Sequence, residues 1–156
     1  MRKAPLLVAS HLIVAAAGFA AGVYTLPILI APPPPDAARL AGVDAQAMFR
    51  GTFRRDLAGS DALHWGEGEV SIGRDAVALR GRLAPGPDYK LYLSPQFVDR
   101  KAEFERLKPS MVRVGDVKTF DNFVVALPPG VDPAAYTTVV VWCETFHQFI
   151  TAAQYR

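Results

Sequence analysis

The chain has 156 residues, 17 basic and 15 acidic side chains, and a single cysteine, Cys143. The net charge of +2 comes from Arg2 and Lys3, because residues 36–156 hold 15 side chains of each sign; without a polybasic run, a nucleic-acid partner is not expected. One cysteine excludes an intrachain disulfide and every cysteine-cluster metal site, and the length implies one folded domain besides the N-terminal segment.

Residues 1–31 read as a transmembrane signal-anchor. Positions 4–31 contain no Asp, Glu, Lys or Arg, and as a helix they would reach about 42 Å, against a hydrocarbon core of ~30 Å. Arg2 and Lys3 precede the apolar run, so the expected topology is a single pass through the inner (plasma) membrane. The N-terminus is then cytoplasmic and the remainder periplasmic. The rival is a cleaved signal peptide, with an apolar core over Leu6–Ala16 and small residues Ala15, Ala16 and Ala17. The apolar stretch continues through Leu26 and Ile30, well past such a site, which favours the uncleaved anchor. Gly18 and Gly22 have the spacing that lets two helices approach closely, so self-association is an open expectation. His11 is polar inside the span but near its cytoplasmic end, where water or headgroups can meet it.

Residues 32–47 read as a Pro-rich linker, partly helical. The tetrad Pro32–Pro35 cannot continue the helix and would form a stiff polyproline spacer of about 12 Å that lifts the next domain off the membrane. Asp36 is an N-cap for a short helix over Ala37–Leu40, which Gly42 is expected to interrupt; Asp44–Met48 can form another turn.

Residues 48–156 read as a β-domain. Phe49–Phe53 alternates as a strand. His64–Ile72 runs into a turn at Gly73-Arg74-Asp75, and Ala76–Arg82 returns. Gly86-Pro87-Asp88 is a tight turn. Tyr89–Leu93 puts Tyr89, Leu91 and Leu93 on one face and Lys90 and Tyr92 on the other. Asp99–Leu107 is charged, with Phe104 and Leu107 three apart, and reads as a short surface helix or insertion. Met111–Val114, Val117–Phe120 and Phe123–Leu127 are strand-like again, and Asp132-Pro133 can start a helical turn. Thr137–Val141 is a β-branched run fit for a buried strand, and Phe146–Ile150 follows after very little room to turn. Roughly eight short strands without long amphipathic helices give an all-β fold, a single β-sandwich or flattened barrel of antiparallel strands. A parallel sheet would need crossover helices.

The order His64-x-Gly66-x-Gly68-x-Val70-x-Ile72, Val77-x-Leu79, Gly86-Pro87-Asp88-x-x-Leu91-Tyr92-Leu93-Ser94, Val114-Gly115-Asp116-Val117-Lys118 and Tyr136…Trp142-Cys143-x-x-Phe146 resembles the DM-thirteen family, also called the electron-transfer DM domain. The resemblance covers about residues 49–154. It implies a β-sandwich-type extracytoplasmic domain in which Cys143 takes part in redox chemistry, as a thiol or as ligand to a prosthetic group such as haem. His64 falls on a motif position of the family, and bacterial members often carry an N-terminal membrane segment.

Read from the residues, Cys143 is either a small buried hydrophobe or an unpaired, reactive or ligating thiol in an exported protein; an intermolecular disulfide is the third reading. Glu144 beside it would raise the thiol pKa if close. His147 would share a strand face with Cys143, but a bulge or tight turn at Glu144-Thr145 would spoil that alignment. His64 could join Cys143 across the sheet as ligand or acid/base partner. The cofactor-binding candidates are therefore Cys143, His64 and His147, with Cys143 also the candidate redox thiol. The structural motif is Gly86, Pro87, Asp88 and Trp142. No Cys-x-x-Cys-His is present for covalent haem attachment, and a non-covalent haem would need an axial Cys, His or Met. Gly66 and Gly68 lack the following helix of a nucleotide loop, and no hydrolase motif is visible. Two functions follow. One is a membrane-anchored redox or electron-transfer domain centred on Cys143, with a redox or membrane-protein partner. The other is a non-catalytic binding module in which Cys143 and Trp142 are core.

Overall fold

The computed structural model describes residues 3–156; Met1 and Arg2, which carry part of the topology signal, lie outside the described residues. Helix α1 (Lys3–Ile30) is one apolar rod, exposed along almost its whole length and long and apolar enough to cross a bilayer. The polar side chains in it bond back to its own backbone: the Ser10 and Thr25 hydroxyls donate to the Leu7 and Ala21 carbonyls, and His11 Nδ1 lies 2.7 Å from the Leu7 carbonyl. Such self-satisfaction is what a lipid environment requires.

Two four-stranded antiparallel sheets follow, packed as a β-sandwich, as the sequence pattern predicts. The first holds β1 (Ala47–Phe53), β2 (Gly66–Gly73), β3 (Ala76–Leu83) and β6 (Asp121–Ala126), in the order β1-β2-β3-β6. The second holds β4 (Tyr89–Ser94), β5 (Val112–Val117), β7 (Thr138–Cys143) and β8 (Gln148–Gln154), in the order β5-β4-β7-β8. Where two strands are expected at 111–114 and 117–120, one strand β5 forms over 112–117, because Gly115 and Asp116 stay extended to pair with Leu91 and Lys90, and residues 118–120 lie outside it.

The core lies between the sheets, where Val70, Ile72, Val77 and Leu79 meet Leu91, Leu93, Val139 and Val141. A second apolar cluster lies on the outer face of the β4–β7–β8 sheet, under helix α3 (Lys101–Leu107). That charged segment is thus not only a surface insertion: Phe104 and Leu107 are buried, and Phe104 stacks on Trp142 at 4.0 Å. With a core on each side, β7 is buried at every position, which is why it reads as an unbroken β-branched run rather than an alternating one.

Helix α2 (Ala37–Ala45) lies on the outer face of the other sheet. Asp36 caps it by accepting the Arg39 N–H. Gly42 does not interrupt it: a helical glycine costs only about 1 kcal/mol, and tertiary anchors outweigh that. Leu40 is buried, and the Asp44 carboxylate accepts the Ser71 hydroxyl at 2.7 Å and pairs with Arg80. The proline tetrad does not hold the domain away from α1. Pro32, Pro33 and Pro34 line a cleft with Trp65, Leu83 and Phe120, and Pro27 of α1 is buried. The end of the apolar helix therefore meets one pole of the sandwich directly.

Candidate functional site

That pole is where β7 ends. Cys143 is its last residue, and its side chain faces the inter-sheet core with Val139 and Val141, whereas Val140 and Trp142 face the α3 side. The chain then turns within Glu144–His147 and returns as β8, with Cys143 opposite Gln148. The turn expected from the sequence is present, and His147 adopts φ +48° to close it. His147 therefore does not continue the strand face of Cys143.

The Gly86-Pro87-Asp88 segment wraps this turn. The Asp88 carbonyl accepts the Glu144 N–H at 3.0 Å, and its carboxylate accepts the Thr145 hydroxyl at 3.0 Å and pairs with Lys90 at 2.6 Å. The Lys90 hydrogen bond, working against burial, holds the Asp88 carboxyl below its usual range. Asp88 is thus more than a turn residue; it ties the β4 entry to the cysteine turn. Gly86 is required for a separate reason: a Cβ there would stand 2.4 Å from the ring and hydroxyl of Tyr89. Tyr89 sits directly opposite Cys143 in the sheet and is 3% exposed.

Cys143 is 2% exposed. Burial pushes its thiol pKa up, and the Asp88 charge adds to that; the nearby backbone N–H groups of Phe146, Asp88 and Thr145 pull the other way without cancelling it. Glu144 is not the perturbing carboxylate. Its side chain accepts from Lys108 Nζ at 2.7 Å and from the Tyr92 hydroxyl. Burial would raise its pKa, but these bonds leave it lowered. Lys108 also lies about 6 Å from the Tyr92, Phe104 and Trp142 rings, within cation–π range.

A cavity of about 290 Å³ opens beside Cys143. Its wall joins Cys143, His64, Tyr89, Phe146, Gln148 and Ile150 of the domain to Phe19, Ala20, Val23 and Tyr24 of α1. The structure therefore brings His64 and Cys143 to one cavity. His64 is held by Asp61, whose carboxylate lies 2.8 Å from its Nδ1 and accepts the backbone N–H groups of Leu63 and His64. His147 is exposed and is not part of that wall. Trp142 is fully buried on the other side of the strand, and its indole N–H faces the Glu144 carboxylate without closing a hydrogen bond of good geometry. Among the described residues, no three His, Cys, Asp or Glu side chains are grouped as metal ligands.

The sequence reading missed Tyr89, Gln148 and the α1 wall. Tyr89 carried a signal, since it follows the Gly-Pro-Asp turn and heads the packed face of its strand. Its position opposite Cys143 required the β4–β7 register. The contact between α1 and the pole had no sequence signal at all.

A β-sandwich with its one cysteine at the end of a central strand, beneath an apolar N-terminal helix, is a recognisable class of domain. The chain belongs to the family described as Electron transfer DM13, which it matches over residues 53–155. The match begins at the last residue of β1 and leaves α1, the proline tetrad and α2 outside. No curated protein and no solved structure matches the chain. The resemblance implied a thiol or a Cys-ligated group such as haem. The cavity is just below the ~300–1,000 Å³ range of ordinary ligand pockets, and the residue that bears the sulfur is 2% exposed, packed into the inter-sheet core. A haem ligated by this sulfur does not fit this arrangement.

Proposed function

We propose that this chain is a membrane-anchored, extracytoplasmic electron-transfer protein with Cys143 as its redox group. In this reading α1 is an uncleaved single-pass anchor of the inner membrane, with its N-terminus cytoplasmic and the sandwich in the periplasm. One observation carries the role of Cys143. The only sulfhydryl of the chain sits at the pole nearest the anchor and shares an apolar cavity with His64. The raised thiol pKa keeps the proton on the sulfur at neutral pH. Oxidation by a one-electron acceptor therefore breaks the S–H bond, passes one electron to the acceptor and one proton to solvent, and leaves a thiyl radical that one electron and one proton from a donor return to the thiol.

The test is ferricyanide titration of the full chain purified in detergent, followed by absorption and ferricyanide consumption, beside Cys143→Ala. Consumption that requires Cys143, one ferricyanide reduced per chain, is the expected result. Equal consumption by both proteins would sink the redox assignment.

The second reading is a binding module with a structural cysteine, and the burial of Cys143 at 2% exposure among core side chains favours it. On that reading, Cys143→Ala leaves every redox readout unchanged and alters only stability.

A further inference from the structure

The cavity beside Cys143 lies at a depth set by the length of α1. About 20 helical residues cross the hydrocarbon core, and counted from Ala4 that run ends near Val23. The helix side of the cavity is Phe19, Ala20, Val23 and Tyr24, so the cavity sits at the outer boundary of the acyl region. Its rim holds the large apolar side chains that folding leaves uncovered at this pole: Phe19, Leu63 and Phe146 are 74%, 59% and 53% exposed. Such residues are costly in water and at home beside lipid.

Inside the rim the wall is apolar except for a few polar groups. Tyr89 is 3% exposed, its hydroxyl makes no hydrogen bond among the described residues, and Cys143 and Tyr24 line the same cavity. His64 and Gln148 complete the polar set. A hydrocarbon chain would fill the space and leave the Tyr89 hydroxyl unpaired, an arrangement that costs free energy. A flat ring with a carbonyl edge would fill the same space and accept from Tyr89.

We propose that this cavity binds the ring of an isoprenoid quinone drawn from the bilayer. The Tyr89 hydroxyl donates to a ring carbonyl, and the tail leaves past Phe19, Leu63 and Phe146 into the acyl chains. The assignment rests on the electron-transfer reading for its choice of ligand, because quinones are the electron carriers soluble in hydrocarbon.

The experiment uses the full chain in phosphatidylcholine nanodiscs and decylubiquinone as the probe, with tryptophan fluorescence quenching as the readout. Saturable quenching is expected. Ala20→Phe fills the cavity from the helix side and should abolish saturation. Tyr89→Phe removes only the unpaired hydroxyl, so the fold persists, and binding should weaken about threefold to tenfold. Decylbenzene, with a ring and tail but no carbonyl, should compete at least about tenfold less well. Unsaturable quenching overturns the proposal, as does the same curve in Ala20→Phe or equal competition by decylbenzene. Binding is read without turnover. A chain that binds quinone but consumes ferricyanide independently of Cys143 loses the redox assignment and keeps this one; the converse result separates them the other way.

Discussion

Trp142 and Cys143 are consecutive in β7, and the strand sends them into different surroundings. The Trp142 side is closed: Phe104 stacks on the indole, Phe149 and Tyr92 complete the cluster, and the Lys108–Glu144 pair seals its end. The Cys143 side is just as buried at the thiol, but its end at the pole is left open as a cavity against an apolar helix. Equal burial of two neighbours therefore conceals a difference in packing. One face of the strand stores stability, and the other stops short of filling its space.

The largest break in this comparison is Trp142→Ala. It empties the closed face and should cost ~3–5 kcal/mol of stability, measured by urea denaturation. If that variant loses less than about 1 kcal/mol, the outer cluster is not the stability store described here.

Gly86→Ala acts on the other face. Its Cβ would collide with the Tyr89 ring, and displacing a packed ring costs ~1–3 kcal/mol. Because Tyr89 lies opposite Cys143, the thiol should become more accessible, and N-ethylmaleimide labelling of native Gly86→Ala should run faster than in the parent. Labelling of the parent at pH 7.5 should be on the order of 100-fold slower than that of free cysteine. A parent thiol that labels at the free rate would mean the face is open to water.

Glu144→Gln sharpens the seal of the closed face. The Glu144 carboxyl is held below its usual range. Its contribution to stability is present above the unfolded value of ~4.3 and is lost as pH falls through the folded one. Glu144→Gln should flatten that acid limb between pH 5 and 3, as seen in thermal melts. The partners are partly exposed, so the effect at neutral pH should stay under about 1 kcal/mol.

The smallest effect is expected on the alkaline side. Burial raises the Cys143 pKa, so the folded chain holds that proton longer than the unfolded one. The stabilisation is complete below the unfolded value of ~8.5 and is lost as pH rises through the folded value. Tyr89 shifts in the same direction by burial. Cys143→Ala should therefore remove part of the fall in stability between pH 8 and 10, leaving the Tyr89 part in place. An unchanged alkaline limb would mean that the thiol titrates alike in both states.

Much of this was written locally. The charge-free run of α1, the Asp36 cap, the Gly73-Arg74-Asp75 turn and the faces of β4 follow from composition, capping and period-two alternation, which act over a few residues. The turn after Cys143 was equally legible, since Glu144 between Trp142 and Phe146 could not continue a buried strand. Local rules failed where a distant partner decided. Gly42 stays helical because Asp44 is anchored to Ser71 and Arg80. Asp99–Leu107 looks like surface because only two of its side chains reach the Trp142 cluster.

For the candidate site, the sequence alone determined that there is one thiol, that it ends a β-branched strand, and that an apolar helix precedes the domain. Tertiary structure alone decided that Tyr89 lies opposite Cys143, that His64 shares its cavity while His147 does not, and that Glu144 turns away to Lys108. The reason is physical. Strand register, inter-sheet packing and the seat of α1 depend on contacts between residues dozens of positions apart, and the local pattern of a chain does not encode where such partners meet.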